Sequence, residues 1–208
     1  MNTDVMRRLR LHRLYVTSAS NAERRGELLG AEGLDFRGIR LDGECLSSAV
    51  VPSSNFTGTH MAGAQLGRGN FADCKFVGTN LSGASFYKTT LVYADMTGAV
   101  LRGAYLVRAD LGDAVLRDAI LNGAELEGAH LGGADLRGAS LRGCDLAKVH
   151  FDSVRVAGID LRGAVNFWEE REHEIDVGEG DEPALLTGRA ARDWLLDRIS
   201  PHGEQRGA

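Results

Sequence analysis

Residues 94–103, with the sequence ADMTGAVLRG, hold two copies of a five-residue pattern that decides the fold. Each copy starts with a small residue, has a large apolar residue at its centre and ends with glycine. The spacing continues without a break from Phe36 to Leu161, where the centre is sixteen times Leu, six times Phe, twice Met and twice Val. Ala stands two residues before the centre in 13 of these 26 units, and Gly stands two residues after it in 15. Such short and sustained periodicity indicates a repeat architecture.

A period of five fits neither an α-helix nor a flat strand. In a helix, successive centres would sweep around the axis, and in a strand they would alternate between the two faces. The pattern is satisfied if the chain turns a corner every five residues, so that four sides form a coil with centres and small residues pointing inward. Residues 20 apart then lie in adjacent coils, roughly 4.8 Å apart. We name the four faces after their first centres, Phe36, Leu41, Leu46 and Val51.

These units resemble the pentapeptide repeat family, whose motif is Ala-(Asp/Asn)-(Leu/Phe)-(Ser/Thr/Arg)-Gly, over about residues 34–164. The resemblance implies an all-β solenoid, a right-handed quadrilateral β-helix, here of about six and a half coils with helical N- and C-terminal end pieces. The expected parts are a helical cap (1–33), the β-helix (34–165), and an acidic linker with a C-terminal helix (166–208). Because Glu44 occupies an inward position and Val50-Val51-Pro52 follows, we expect the first coil to be irregular.

Both ends are predicted to be covered, because the exposed edge of a solenoid invites pairing with another chain. Residues 4–16 form a predicted helix with Val5, Leu9, His12 and Val16 on one side, and residues 12–15 resemble a helical cap found in family members. Its four arginines indicate a solvated face, with a contact to nucleic acid as the alternative. Residues 189–199 form a second predicted helix. The apolar residues expected either to cover the last coil or to form a homodimer are Phe167, Trp168, Trp194, Leu195 and Ile199.

No catalytic constellation is apparent, so we expect a protein that is not an enzyme and uses no cofactor or metal. His130 and His150 lie 20 apart on one wall, which favours surface residues, with a metal site including Asp110 or Asp152 as the alternative. Three cysteines, no membrane-length apolar run and no secretory signal predict a cytoplasmic protein without a membrane contact.

The outer surface is therefore where function is expected. Carboxylates form a predicted acidic edge along the rod, interrupted by Lys75 and Arg155, and its members are Asp73, Asp95, Asp110, Asp113, Asp135 and Asp152. A second cluster is apolar, is predicted to be exposed and forms a candidate interface. It consists of Tyr87, Val92, Tyr93, Tyr105 and Val107.

Two functions compete. The resemblance implies that the rod is a duplex-DNA mimic similar to the quinolone-resistance group, which binds type II topoisomerase (gyrase) and inhibits it or protects it from poisons. Carboxylates along a rod imitate phosphates along a helix, so such a mimic binds a protein and has no direct nucleic-acid partner. The alternative is a rigid scaffold that presents one wall to another protein.

Overall fold

The computed structural model describes residues 3–17, 29–167, 174–179 and 182–199. Two helices and three short strands accompany the repeats. They are α1 (Thr3–Thr17), β1 (Asp152–Arg155), β2 (Glu174–Asp176), β3 (Leu185–Thr187) and α2 (Gly188–Ile199). Neither helix in this described part of the chain is long and apolar enough to cross a membrane.

The repeats form a four-sided coil that is held together by single parallel pairings instead of long strands. Residues 20 apart pair in every turn, from Gly30 with Val50 to Asp145 with Val165. In a typical unit the N–H of the centre Phe56 donates to the next coil at 2.7 Å, and the N–H of Thr59 donates back to Phe56 at 2.9 Å to close the corner. The backbone hydrogen bonds between coils therefore run along the rod, as the spacing predicts.

A single apolar core runs through the coil. All 26 centres from Phe36 to Leu161 are at most 1% exposed. Along the Phe36 face the rings of Phe36, Phe56 and Phe76 stack nearly parallel, with centroids 4.3 and 4.8 Å apart. Cys74 and Cys144 point inward as predicted, and burial raises the pKa of their thiols to about 12 and about 11. The inward placement of the centres and of these two small residues is confirmed.

The irregularity predicted for the first coil is wrong. Pairing continues in register through Cys45 and Val50, and Val51 is fully buried. Glu44 is tolerated at its inward position because its partly exposed carboxylate is bonded by the guanidinium of Arg13 in α1. The coil also begins earlier than residue 34, since Gly30 already pairs with the next turn.

Helix α1 covers the first coil. Val5, Leu9 and His12 are buried against the core, and the N–H of Leu29 donates to Nδ1 of His12 at 2.9 Å. This bond requires a neutral imidazole, and burial lowers the pKa of His12 in agreement with it. Together with the Arg13 contact to the coil, this packing is that of a cap.

A small sheet and α2 cover the other end. Strand β2 pairs in parallel with β1, which belongs to the coil, and pairs antiparallel with β3. Ile175 of β2 and Ala191 and Leu195 of α2 are fully buried in the core. The N–H of Gly163 in the last coil donates to the carbonyl of Ile199 at 3.0 Å. The last coil is thus bonded by both backbone and side chains of the C-terminal part.

Candidate protein-binding face

Several carboxylates of the predicted acidic edge have a local structural role. Asp95, Asp110 and Asp135 each accept, through Oδ1, the backbone N–H of the residue two positions on, at 3.1–3.2 Å. Asn70 makes the same bond on another coil, where no charge is involved. This is the local turn in which Asp and Asn side chains replace a backbone acceptor. This turn by itself therefore does not require the negative charge of the three residues.

Asp135 is not an exposed member of the edge, and that expectation is wrong. Only 7% of the residue is exposed, because Arg117 and Arg137 bond its carboxylate at 2.8 and 2.7 Å. Burial favours the neutral acid, but the hydrogen bonds and charges of these arginines prevail and lower the pKa of Asp135. Arg155 lies 3.9 Å from the same carboxylate and also bonds Asp176 of β2 at 3.3 Å. Asp135 thus belongs to an ion cluster that joins the coil to its C-terminal cover.

Asp73, Asp113 and Asp152 remain exposed, as predicted. Asp73 and Asp113 stand at corners of the coil, 40 residues and therefore two turns apart. A side chain added at Gly133 would collide with the carboxylate of Asp113, so glycine there leaves room for that group. Lys75 is exposed on the same edge. The continuous acidic edge is reduced to separate carboxylates with cations among them.

The predicted apolar cluster is divided between two neighbouring faces. Tyr87, Tyr105 and Val107 lie on the Leu46 face, Val92 lies on the Val51 face, and Tyr93 stands at the corner that ends the Val51 face. The rings of Tyr87 and Tyr105 are 6.1 Å apart, and Nζ of Lys88 lies 5.3 Å from the centre of the Tyr87 ring. Val107 is only 8% exposed, so its predicted surface position is wrong. Tyr93, 59% exposed, stands on the opposite border of the Val51 face. The three tyrosines and the half-buried Val92 are the members that offer contact area to a partner.

The corners of the coil differ in their glycine content between faces, a feature that was not predicted from the sequence. Every corner residue, which stands two positions after a centre, has a φ between 54° and 73°. The 14 corners that end the Phe36 and Leu41 faces, from residue 38 to residue 163, are all Gly except Asp118. The 12 corners that border the Val51 face hold Gly only at 128 and 133. These border residues, from one end of the rod to the other, are Ser48, Ser53, Arg68, Asp73, Lys88, Tyr93, Arg108, Asp113, Gly128, Gly133, Lys148 and Ser153.

The side chains at these corners have an energetic cost. A residue with a Cβ in the left-handed region loses roughly 1–2 kcal/mol relative to its preferred conformation, a loss that glycine avoids. Large side chains such as Arg68 (φ 59°), Lys88 (φ 54°) and Tyr93 (φ 60°) nevertheless occupy it, and all three are exposed. Because these side chains make no buried contact, packing within the protein does not explain why they stand at strained corners.

We name the two borders by their residues. The basic column consists of Arg68, Lys88, Arg108 and Lys148. The acid–tyrosine column consists of Asp73, Tyr93 and Asp113. The basic column was not predicted, because its members stand at corners between two faces; the signal in the sequence is the 20-residue spacing of cations at these corners. The Val51 face thus has positive charge on one border and negative charge on the other.

The C-terminal apolar residues contact the end of the core. The ring of Phe167 lies 6.0 Å from that of Phe151, Leu195 is fully buried, and Trp194 and Ile199 pack partly buried against the core. These contacts match the predicted role of covering the last coil, and a homodimer through this end stays a prediction. Trp168 lies outside the described residues.

The histidine pair does not form a metal site with its neighbours. The rings of His130 and His150 are 5.8 Å apart, and Nδ1 of His130 lies 3.4 Å from Asp110. Among the residues that the structure describes, no three His, Cys, Asp or Glu side chains are grouped so that they could hold a metal ion.

Comparison with known proteins identifies the repeats. A family model described as pentapeptide repeats matches in eight copies at residues 70–103, 94–133 and 129–165. None of the curated proteins matches the chain.

Similar solved structures include the following three proteins. Rfr23 of the cyanobacterium Cyanothece 51142 is 24% identical over 76% of this chain and 94% of its own, with a TM-score of 0.38. QnrB1, a plasmid-mediated fluoroquinolone resistance protein, is 19% identical over 65% of this chain and 90% of its own, with a TM-score of 0.33. A pentapeptide repeat protein of the Arabidopsis thaliana thylakoid lumen is 28% identical over 57% of this chain and 67% of its own, with a TM-score of 0.28.

Proposed function

We propose that this chain, whose repeat region belongs to the pentapeptide repeat family with its right-handed quadrilateral β-helix, is a non-enzymatic rod that binds another protein through its Val51 face. The observation that supports this most is the distribution of glycine. Corners elsewhere on the rod are glycine except for Asp118, whereas the borders of this one face hold mostly exposed charged and aromatic residues in the left-handed conformation. Strain kept at exposed side chains is typical of functional sites.

The composition of the face also fits a protein partner. Arg and Tyr are enriched at protein interfaces, and Arg68, Arg108 and Tyr93 supply both at accessible positions. Opposite charges on the two borders would orient a partner and favour one register over others.

Photocrosslinking in the cell of origin tests this proposal. A photoreactive phenylalanine derivative is placed at Tyr93 or Thr90 on the Val51 face, and at Val100 or Ser140 on the Leu41 face as matched controls. We expect a discrete protein adduct from the first two positions and none from the controls. The adduct should disappear when R68G, K88G and R108G are combined, while the melting temperature does not fall, because glycine suits these corners. Adducts from the Leu41 face alone would refute the proposal.

A duplex-DNA mimic that binds gyrase is the second candidate. The exposed Asp73, Asp113 and Asp152 favour it, since they are carboxylates on the surface of a rod. The basic column on the other border argues for a partner with charges of both signs, because a DNA-binding surface is itself basic and would repel Arg68 and Arg108.

A gyrase supercoiling assay distinguishes the two candidates. A mimic should inhibit supercoiling, or protect gyrase from a quinolone, and D73N/D113N should weaken that effect without loss of stability. R68G/R108G should strengthen it, because removing cations from the rod increases its likeness to a polyanion. No effect on gyrase by the wild type and both variants would exclude the mimic.

A further inference from the structure

The two borders of the Val51 face complement each other in three consecutive coils. Each basic-column residue has its counterpart five positions later, in the same coil and on the opposite border. The pairs along the rod are Ser48 and Ser53, Arg68 and Asp73, Lys88 and Tyr93, Arg108 and Asp113, Gly128 and Gly133, and Lys148 and Ser153. Two of these pairs are opposite in charge, and one joins an ammonium group with an aromatic ring, which attract each other.

A second copy of this chain can meet these pairs in only one orientation. Consider two rods side by side with their Val51 faces in contact. If they are parallel, a two-fold axis along the rods brings the basic column of one copy opposite the acid–tyrosine column of the other, at the same height. If they are antiparallel, the two-fold axis crosses the rods and brings like columns together, so Arg68 and Arg108 face cations. Only the parallel arrangement satisfies both borders, and it satisfies them simultaneously, as an isologous contact requires.

The surface between the borders has no large side chain directly after its centres. The outward residues after the centres are small or of medium size, and among them are Ala72, Val92, Gly112 and Gly132. The carboxylate of Asp110 lies over Gly112, and the imidazole of His130 lies over Gly132, because a Cβ at either glycine would come within 3.3 Å of those side chains. Each polar side chain thus fills the depression that its neighbouring glycine leaves. No Lys or Arg occurs between the two borders.

We propose that this chain associates with a second copy of itself, in parallel and in register, through the Val51 face. The proposal rests on the proposed function, that the Val51 face is a protein-binding surface, and names its partner. The complementary pairs from Arg68 to Asp113 extend over three coils, roughly 10 Å of rod, and the whole face over roughly 25 Å. Because only three coils carry complementary pairs, this contact is smaller than that of a permanent dimer, which buries roughly 1,000 Å² per partner or more. The association is therefore weak and reversible, and salt weakens it because exposed charges carry it.

Charge exchange tests the proposal directly. Variant A carries R68D/R108D, and variant B carries D73R/D113R; the exchanged residue types already occupy these corners, so both variants keep the backbone conformation. Sedimentation velocity is recorded for the full-length protein over a range of concentrations at low and high salt. We expect the wild type to self-associate at low salt and less at high salt. Variants A and B should each be monomeric, and their equimolar mixture should form a dimer, because each border then again meets its opposite.

A matched control changes the same number of arginines on another wall. R102D/R142D, on the Leu41 face, should associate like the wild type. Three results would overturn the proposal: a wild type that is monomeric at every concentration and salt, an A–B mixture that stays monomeric, or a control that loses association as A does. Circular dichroism checks that all variants are folded.

The failure of this inference differs from the failure of the proposed function. If the wild type is monomeric but crosslinks from Tyr93 to a different protein, the Val51 face is a binding surface and self-association is excluded. If the basic column instead binds a labelled single-stranded oligonucleotide and variant A does not, the column serves nucleic acid and both proposals fall.

Discussion

Stacked aromatic rings in the Phe36 ladder should stabilise the rod beyond ordinary burial. The ring of Phe56 is 4.3 Å from that of Phe36, 4.8 Å from Phe76 and 6.0 Å from the tilted ring of Phe71. Phe86 is equally buried, but none of the ring contacts found in the described part of the chain involves it. Since Leu is the commonest centre residue, Phe56→Leu and Phe86→Leu make the same chemical change at equivalent positions.

The expected difference follows from the three ring contacts. Replacing Phe by Leu at either position loses about 1 kcal/mol through imperfect repacking. Aromatic pairs contribute roughly 0.5–1.5 kcal/mol each beyond burial, so the loss of three pairs should make Phe56→Leu lower the free energy of unfolding by about 1.5–4.5 kcal/mol more than Phe86→Leu. Urea unfolding followed by circular dichroism measures this, provided that the m-values agree. Equal losses for the two variants, within about 0.5 kcal/mol, would refute the reasoning because burial alone would then account for both.

Three further perturbations have defined outcomes. Burial lowers the pKa of His12 in the folded chain, so its contribution to stability is complete above pH 6.5 and is lost as the pH falls below that value. The melting temperature should therefore fall with pH in the wild type, and this fall should vanish in H12Q. The same pH dependence of the melting temperature in both proteins would contradict the prediction. D135N should lower the free energy of unfolding by about 2–3 kcal/mol, since it leaves guanidinium groups without their buried partner, and a loss as small as that of D73N would exclude the ion cluster as a stabilising element. A thiol reagent should label one cysteine per folded chain, Cys45, because Cys74 and Cys144 are fully buried with raised thiol pKa values, and rapid labelling of three would show that the coil opens.

The sequence predicted the interior well because the same requirement is repeated in every unit. A large apolar residue at each fifth position has one place to be buried, so Phe36 and Leu161 are placed by the same reasoning as every centre between them. Because every unit carries the same requirement, Glu44 and Pro52 do not disturb the first coil, contrary to the prediction. Neighbouring coils provide the pairing there, and Arg13 provides a partner for the carboxylate.

The surface was predicted less well, since exposure there depends on neighbours from other coils. Asp135 and Asp95 both stand directly before a centre of the Phe36 face, yet among the described residues Arg117 and Arg155, 18 and 20 residues from Asp135, pair with Asp135 and not with Asp95. Val107 likewise follows a centre as Tyr87 does, but it is buried by its surroundings.

The amino-acid sequence alone determined the period, the four faces and the residues that fill the core, because burial of apolar side chains at a constant spacing admits one arrangement. The residues at the corners can also be read from the sequence, but their place in a binding surface cannot. Only the tertiary structure decided which carboxylates are neutralised and that the corner side chains are held at positive φ, because both depend on chain segments brought together by coiling. That coiling places Arg68 and Asp73 on opposite borders of one face, and from this placement the binding surface is inferred.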